Sequence, residues 1–182
     1  MILSILIPTM HQRGELLKQL MAVLTPQLTN NVEVLFDYGT ETTGAKRNRL
    51  IKKASGKYIV FVDDDDIVAT DYISSILEAA KLDTDCIVFS GWMETDGADR
   101  RKFFLSILHE YKAVDHGGEV IYYRYPNHIT PIKRVIASQV KFPDQTMYED
   151  YAWATEIHNL GLLKSEVKIH KQLYFYKFVT NK

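Results

Sequence analysis

Short apolar runs and segments of helical period alternate along the first half of the chain. Residues 2–7 are apolar and stop at Pro8, which predicts a buried strand. Leu16, Leu17, Leu20, Met21, Val23 and Leu24 then recur at helical spacing until Pro26. Residues 32–36 form a second apolar run ending at Asp37. Thr43-Gly44 opens a helical segment over 45–54 that Ser55-Gly56 closes. A third strand is expected over 58–62, a helix over 71–81 and a fourth strand over 85–89. This β-α-β-α-β-α-β order predicts an α/β fold with a mostly parallel, Rossmann-like central sheet and helices on both faces.

The second half is less regular. Residues 92–99 read as a polar loop and 121–125 as a strand, and Pro131 suits the first position of a short helix. Residues 148–160 have a helical pattern with Gly161 as C-cap, and the aromatic, β-branched segment 167–178 adds one or two strands. With no repeat, low-complexity segment or linker, the 182 residues read as one domain; 46% hydrophobic residues are enough for a full core.

Net charge, −1, says little about partners, but its distribution does. Residues 41–57 carry +5 and residues 63–99 carry −10. A basic segment leading into an acidic one suits a site that handles an anion and a metal cation together, although charge runs are more often solvated surface. The lone Cys86 sits in an apolar run, so a buried thiol and a reducing compartment are expected. No apolar run reaches the length of a membrane span, and the opening residues lack a basic leader and cleavage site. The expected location is therefore cytoplasmic.

The densest chemistry lies where the third strand stops, in KYIVFVDDDD over 57–66. Ligands in parallel α/β sheets gather beyond the carboxyl ends of strands. If the strand continued, Asp63 and Asp65 would share one side and Asp64 and Asp66 the other. Carboxylates are hard donors suited to Mg²⁺ or Mn²⁺ carrying phosphate, and such a cation would relieve the crowding. Helix capping by Asp66 or Asp71 accounts for one or two of these acids but not for four in succession. A calcium loop lacks its glycine and distal glutamate, and a dinucleotide fold lacks a glycine fingerprint at Pro8-Thr9-Met10-His11. A haloacid-dehalogenase-like phosphatase would use Asp63 as nucleophile, but Ile67-Val68 stands where that pattern has a Gly-Thr-like pair.

Taken together, SILIPTMHQR, VEVLFDYGT, GAKRNRLIKKASGKYIVFVDDDD and MYEDYAWA resemble family 2 glycosyltransferases of the GT-A fold. Each motif is modest, but their order and spacing span essentially the whole chain. The resemblance implies a nucleotide-sugar-binding half over about residues 1–98 and an acceptor and catalytic-base half over about 99–182. It implies that Pro8 and Thr9 lie beside the base, that Asp37 accepts a hydrogen bond from a uracil-type edge, and that Arg47, with Lys46 adding charge, serves the base or diphosphate. Asp63 would lie near the ribose with Asp64 beside it, and Asp65 would bind a Mn²⁺ or Mg²⁺ ion bridging the diphosphate of a UDP-sugar. Asp150 matches the usual catalytic base of an inverting transfer, with Glu149 as an alternative base or an acceptor-orienting residue. Without the resemblance, that acidic pair reads as a helix start favoured by the dipole. Tyr38-Gly39-Thr40 departs from the commoner Asp-Gly-Ser, and the chain leaves little room for a C-terminal acceptor domain.

Asn127 and His128 precede the expected short helix and are candidates for the acceptor side; Lys133 and Arg134 read as surface residues. His170 is a candidate to complete a metal shell, with a structural role the simpler reading; Trp153 reads as core. The stretch P-N-H-x-x-P-I-K-R over 126–134 resembles small phage-encoded glycosyltransferases, which makes a hydroxymethylated DNA base an admissible acceptor beside a glycan. Residues 99–141 carry +4, which would help engage phosphates. A non-catalytic nucleotide- or glycan-binding module is the reading from another class.

Overall fold

Six consecutive buried residues, Leu3–Pro8, form β1. It pairs in parallel with β2 (Val32–Asp37) on one side and β3 (Tyr58–Phe61) on the other. A strand covered on both faces must be apolar at every position, which explains the unbroken runs at β1 and β3. The computed structural model describes residues 1–178; residues 179–182 of the domain expected from the sequence lie outside it. Between these strands run α1 (Gly14–Leu24) and α2 (Thr43–Lys53), and α2 packs on β1 and β2. The Thr42 hydroxyl accepts the Ala45 N–H at 3.2 Å and so caps α2.

Downstream lie β4 (Ile67–Val68), α3 (Tyr72–Ala79), β5 (Cys86–Thr95), β6 (Asp99–Leu105), β7 (Lys112–Asp115) and β8 (Val120–Arg124). β9 (Ile132–Lys133), α4 (Arg134–Ala137), α5 (Glu149–Asn159) and β10 (Glu166–Phe178) complete the described chain. The sheet order is β2-β1-β3-β9-β5-β6-β8-β7, with β10 paired to β5 and β4. β9 is antiparallel to both β3 and β5, so β1, β2, β3, β5 and β10 all run the same way. The expected mostly parallel α/β sheet is present, interrupted by the two-residue reversed strand β9, while β4, β6 and β8 also run against the parallel set. No helix of the described residues is long and apolar enough to cross a membrane.

Three expectations need correcting. Residues 92–99 are not a loop: β5 runs on to Thr95, turns at Asp96 and Gly97, both at positive φ, and returns as β6. Its polar residues pair across the hairpin, Arg100 with Glu94 at 3.0 Å and Lys102 over the Trp92 ring at 5.2 Å. Pro131 does not start a helix. Its carbonyl accepts the Ile87 N–H at 2.9 Å beside β9, and the helix begins three residues later. Nor does β3 continue through the aspartates. The chain turns at Asp63, whose carbonyl accepts the Asp66 N–H at 3.0 Å, so the expected alternation of sides does not arise.

Two glycines permit approaches that position the site. A Cβ on Gly44 would overlap the Pro143 carbonyl oxygen, so α2 can touch the loop that leads into α5. A Cβ on Gly91 would overlap the Tyr174 backbone and the Phe103 ring, where β10, β5 and β6 meet.

Candidate active site

The turn after β3 gathers four carboxylates, and the protein supplies partners for all of them, Asp64 and Asp65 sharing Arg13. Asp63 takes the Arg47 guanidinium at 2.9 Å. Asp64, 2% exposed, accepts the Thr9 hydroxyl at 2.6 Å and lies 2.8 Å from Arg13 Nη2. The same Arg13 nitrogen is 2.7 Å from Asp65. Asp66 turns inward, where Tyr174 O–H donates at 2.7 Å and the Lys177 N–H at 2.9 Å. The crowding expected to call for a divalent ion is thus already offset by arginines and inward hydrogen bonds. Burial and the neighbouring Asp63 charge push the Asp66 carboxyl well up, against the lowering effect of its two donors.

Arg47 links this turn to α5. It is buried between the Phe61 and Phe142 rings, at 4.9 and 5.7 Å from their centroids, with Nε donating to Glu149 at 3.2 Å and Nη2 to Asp63. Its Nη1 is buried without a partner. Glu149 is 5% exposed at its side chain, and burial raises its pKa. Its neighbour Asp150 is 34% exposed. Of the two candidate bases, Asp150 is the accessible one, and Glu149 is committed to Arg47.

His128 stands between the two halves of the site. Its Nδ1 is 3.2 Å from Asp150 and its Nε2 is 3.5 Å from Asp63, and neither contact is aligned as a hydrogen bond. Burial and the Arg47 charge oppose protonation of His128, but the two flanking carboxylates outweigh them and push its pKa up to about 9. Burial alone would raise Asp63 and Asp150; Arg47 and His128 instead hold Asp63 well below the usual carboxylate range, and His128 followed by Arg47 does the same for Asp150. Asp150 is therefore an ionised carboxylate at neutral pH, its proton affinity lowered by the two cations beside it.

Other candidates sit differently from expectation. Lys46 is buried and donates to the Thr9 carbonyl at 2.8 Å, so it secures the chain after β1, within reach of the Asp37 and Asp64 charges. Asp37, beside Pro8 in the sheet register, is clasped by Arg49 Nε at 2.8 Å and Nη2 at 3.0 Å, and it accepts the Gly39 N–H. Base recognition there would share the carboxylate with Arg49. Asn127 is buried; its side chain accepts the Ile129 N–H and donates to the Tyr111 hydroxyl, which makes it a holder of the loop before β9. His170 lines a surface groove with Asp71, Phe104, Lys168 and Gln172. Trp153 is core, as expected. Arg13 and Tyr174 were missed, because nothing in the sequence marks one arginine or tyrosine as reaching an acid over fifty residues away.

Among the described residues, no three His, Cys, Asp or Glu side chains converge as a metal cage. The residues fit a narrower role. Asp65, 14% exposed, can lend a hard oxygen to a Mg²⁺ or Mn²⁺ ion that takes its other ligands from phosphate and water.

Comparison with known proteins identifies the fold and the family. Residues 1–349 of S. aureus TarS in complex with UDP match with a TM-score of 0.72 at 15% identity, covering 97% of this chain and 60% of that one. The same TarS fragment in complex with UDP-GlcNAc matches at 0.70 and 13%, covering 100% and 60%. The chain thus spans about three fifths of the solved chains it resembles, and identities this low establish the fold alone. No curated protein matched. The sequence model of glycosyl transferase family 2 matches residues 14–148, three quarters of the chain, and the protein belongs to that family.

Proposed function

We propose that the chain transfers a sugar from a UDP-sugar to an acceptor hydroxyl with inversion, with the help of Mg²⁺ or Mn²⁺. The observation that carries this is the continuous link from the turn after β3 to an accessible carboxylate: Asp63, His128 and Asp150 in series, with Arg47 tying Asp63 to Glu149. Donor pocket and base are thereby held at a fixed separation. The uridine ligands of TarS support the choice of nucleotide.

In this reading, the diphosphate lies at the carboxyl ends of β1 and β3, beside Asp65 and Arg13. The bound divalent ion would act as a Lewis acid on the departing phosphate. Arg13 answers the same charge once it leaves the acids. Asp150 takes the proton of the incoming hydroxyl on the opposite face of the sugar, and general-base help of this kind contributes ~10²–10⁴-fold. His128, charged between two carboxylates, keeps Asp150 ionised and oriented. The acceptor is a glycan or a hydroxymethylated DNA base. Asp63, the nucleophile a phosphatase would need, is ion-paired to a buried arginine, which argues against that chemistry.

Asp150→Asn tests the assignment. It should keep UDP binding within about twofold and lower sugar transfer by ~10²-fold or more. Unchanged transfer would remove Asp150 from the mechanism, and UDP binding without turnover by the unmodified protein would leave a binding module.

A further inference from the structure

The face of the sheet that carries the acidic cluster continues past it. Residues paired across strands share a face. Tyr174 pairs with Gly91 and Tyr176 with Met93. Gly91 and Met93 pair in turn with Phe103 and Arg101, and Phe103 and Leu105 with Tyr122 and Arg124. Because the Tyr174 hydroxyl reaches Asp66, Arg124 lies on the active-site side of this extension.

Among the described residues, Arg124 is placed unlike the other arginines. Arg13, Arg47, Arg49, Arg100 and Arg101 each meet a carboxylate, and Arg134 donates to the Gly56 carbonyl. Arg124 has only a weak 3.8 Å contact to the Met93 sulfur. Its guanidinium carbon lies over two rings, 5.2 Å from the Tyr122 centroid and 5.5 Å from that of Tyr111. Tyr111 packs edge-on to Tyr151 at 5.3 Å, and Tyr151 follows Asp150 in α5. Asn127 fixes the Tyr111 hydroxyl at 3.1 Å. That hydroxyl, pushed up to about 12 by burial, senses the charges of both Arg124 and Asp150. A partly buried cation set over two aromatic rings, with its nitrogens unspent on any oxygen of the described residues, is built to receive an anion.

We infer that Arg124 is an anion-binding residue of the acceptor site, so that the acceptor carries a phosphate or carboxylate near the hydroxyl that Asp150 deprotonates. The inference rests on the transferase reading for its role and on the Arg124 geometry for its ligand. A neutral acceptor would leave the arginine facing water with nothing to gain from its placement; an anionic one gains a charge-assisted, two-pronged contact.

The test uses glucose 6-phosphate, glucuronate and glucose as matched probes. Each is titrated against the protein saturated with UDP and Mn²⁺, followed by the Arg124 Nε resonance, and each is offered as acceptor with UDP-GlcNAc as donor. One or both anions should shift the Arg124 resonance and glucose should not, and the shift should weaken with salt. The anion that binds should be the better acceptor by about tenfold in kcat/KM. Arg124→Gln should erase that advantage through KM while leaving acceptor-independent donor hydrolysis unchanged, and Arg124→Lys should keep part of it. Equal response to all three probes, or an equal loss for all three in Arg124→Gln, overturns the inference. Absence of donor hydrolysis in the unmodified protein would instead strike the transferase reading, with the resonance titration still judging the anion site.

Discussion

Arg47 holds the site together, and removing it gives the sharpest structural test. Its guanidinium is 3% exposed and serves Asp63, at 2.9 Å, and Glu149, at 3.2 Å. Arg47→Met keeps much of the stem packing against Phe61 and Phe142 but strands two acids. Breaking a buried pair costs ~3–5 kcal/mol. Asp63 is 23% exposed and keeps His128 nearby, so the lower end, ~3 kcal/mol, is expected here. For a domain of this length each kcal/mol moves Tm by ~2–4 °C, so melting should fall by ~6–12 °C. The assay is thermal and urea unfolding, followed by circular dichroism at pH 7 without divalent ions. Adding Glu149→Gln to Arg47→Met should recover part of the loss, because the neutral amide no longer leaves a buried charge alone. A fall below about 2 °C, or no recovery in the double variant, would refute the view that Arg47 neutralises these acids.

Two further outcomes follow from the same geometry. His128 has a folded pKa of about 9 against an ordinary 6.5, held up by Asp150 and Asp63 and opposed by Arg47. A raised pKa gives stability that is full below pH 6.5 and fades as pH rises towards 9. Metal-free melts should therefore decline across that window in the native protein and stay flatter in His128→Gln; identical profiles would count against the charged histidine. Gly44→Ala should cost ~1–3 kcal/mol, because the new methyl meets Pro143 backbone, and it should lower transfer by displacing the start of α5. Stability within a few tenths of a kcal/mol of the native protein would show that the loop yields freely.

Much of the first half of the chain was legible because its strands are buried on both faces and end at punctuation. Pro8, Asp37 and the aspartate turn mark the carboxyl ends where ligands collect. The β5–β6 hairpin was not legible. Its outer half is solvated and stabilised by cross-strand pairs such as Glu94 with Arg100, which read in sequence as an ordinary polar loop. β9 is two residues long and is defined only by the strands on either side of it. In the site, residue types were readable and partners were not. The contact between Arg47 and Glu149 joins positions 102 residues apart, and the same fold that makes it commits Glu149 and leaves Asp150 as the accessible acid. Lys46 shows the converse: a basic residue in a basic segment, spent on a backbone carbonyl.

The central claim is that the turn after β3 receives the diphosphate of a uridine nucleotide together with a divalent ion anchored by Asp65. Calorimetric titration of UDP with and without Mn²⁺ tests it most directly. The account predicts one binding site whose affinity rises about tenfold or more with Mn²⁺, and loss of that gain in Asp65→Asn. Binding indifferent to metal, or a gain that survives in Asp65→Asn, would contradict it.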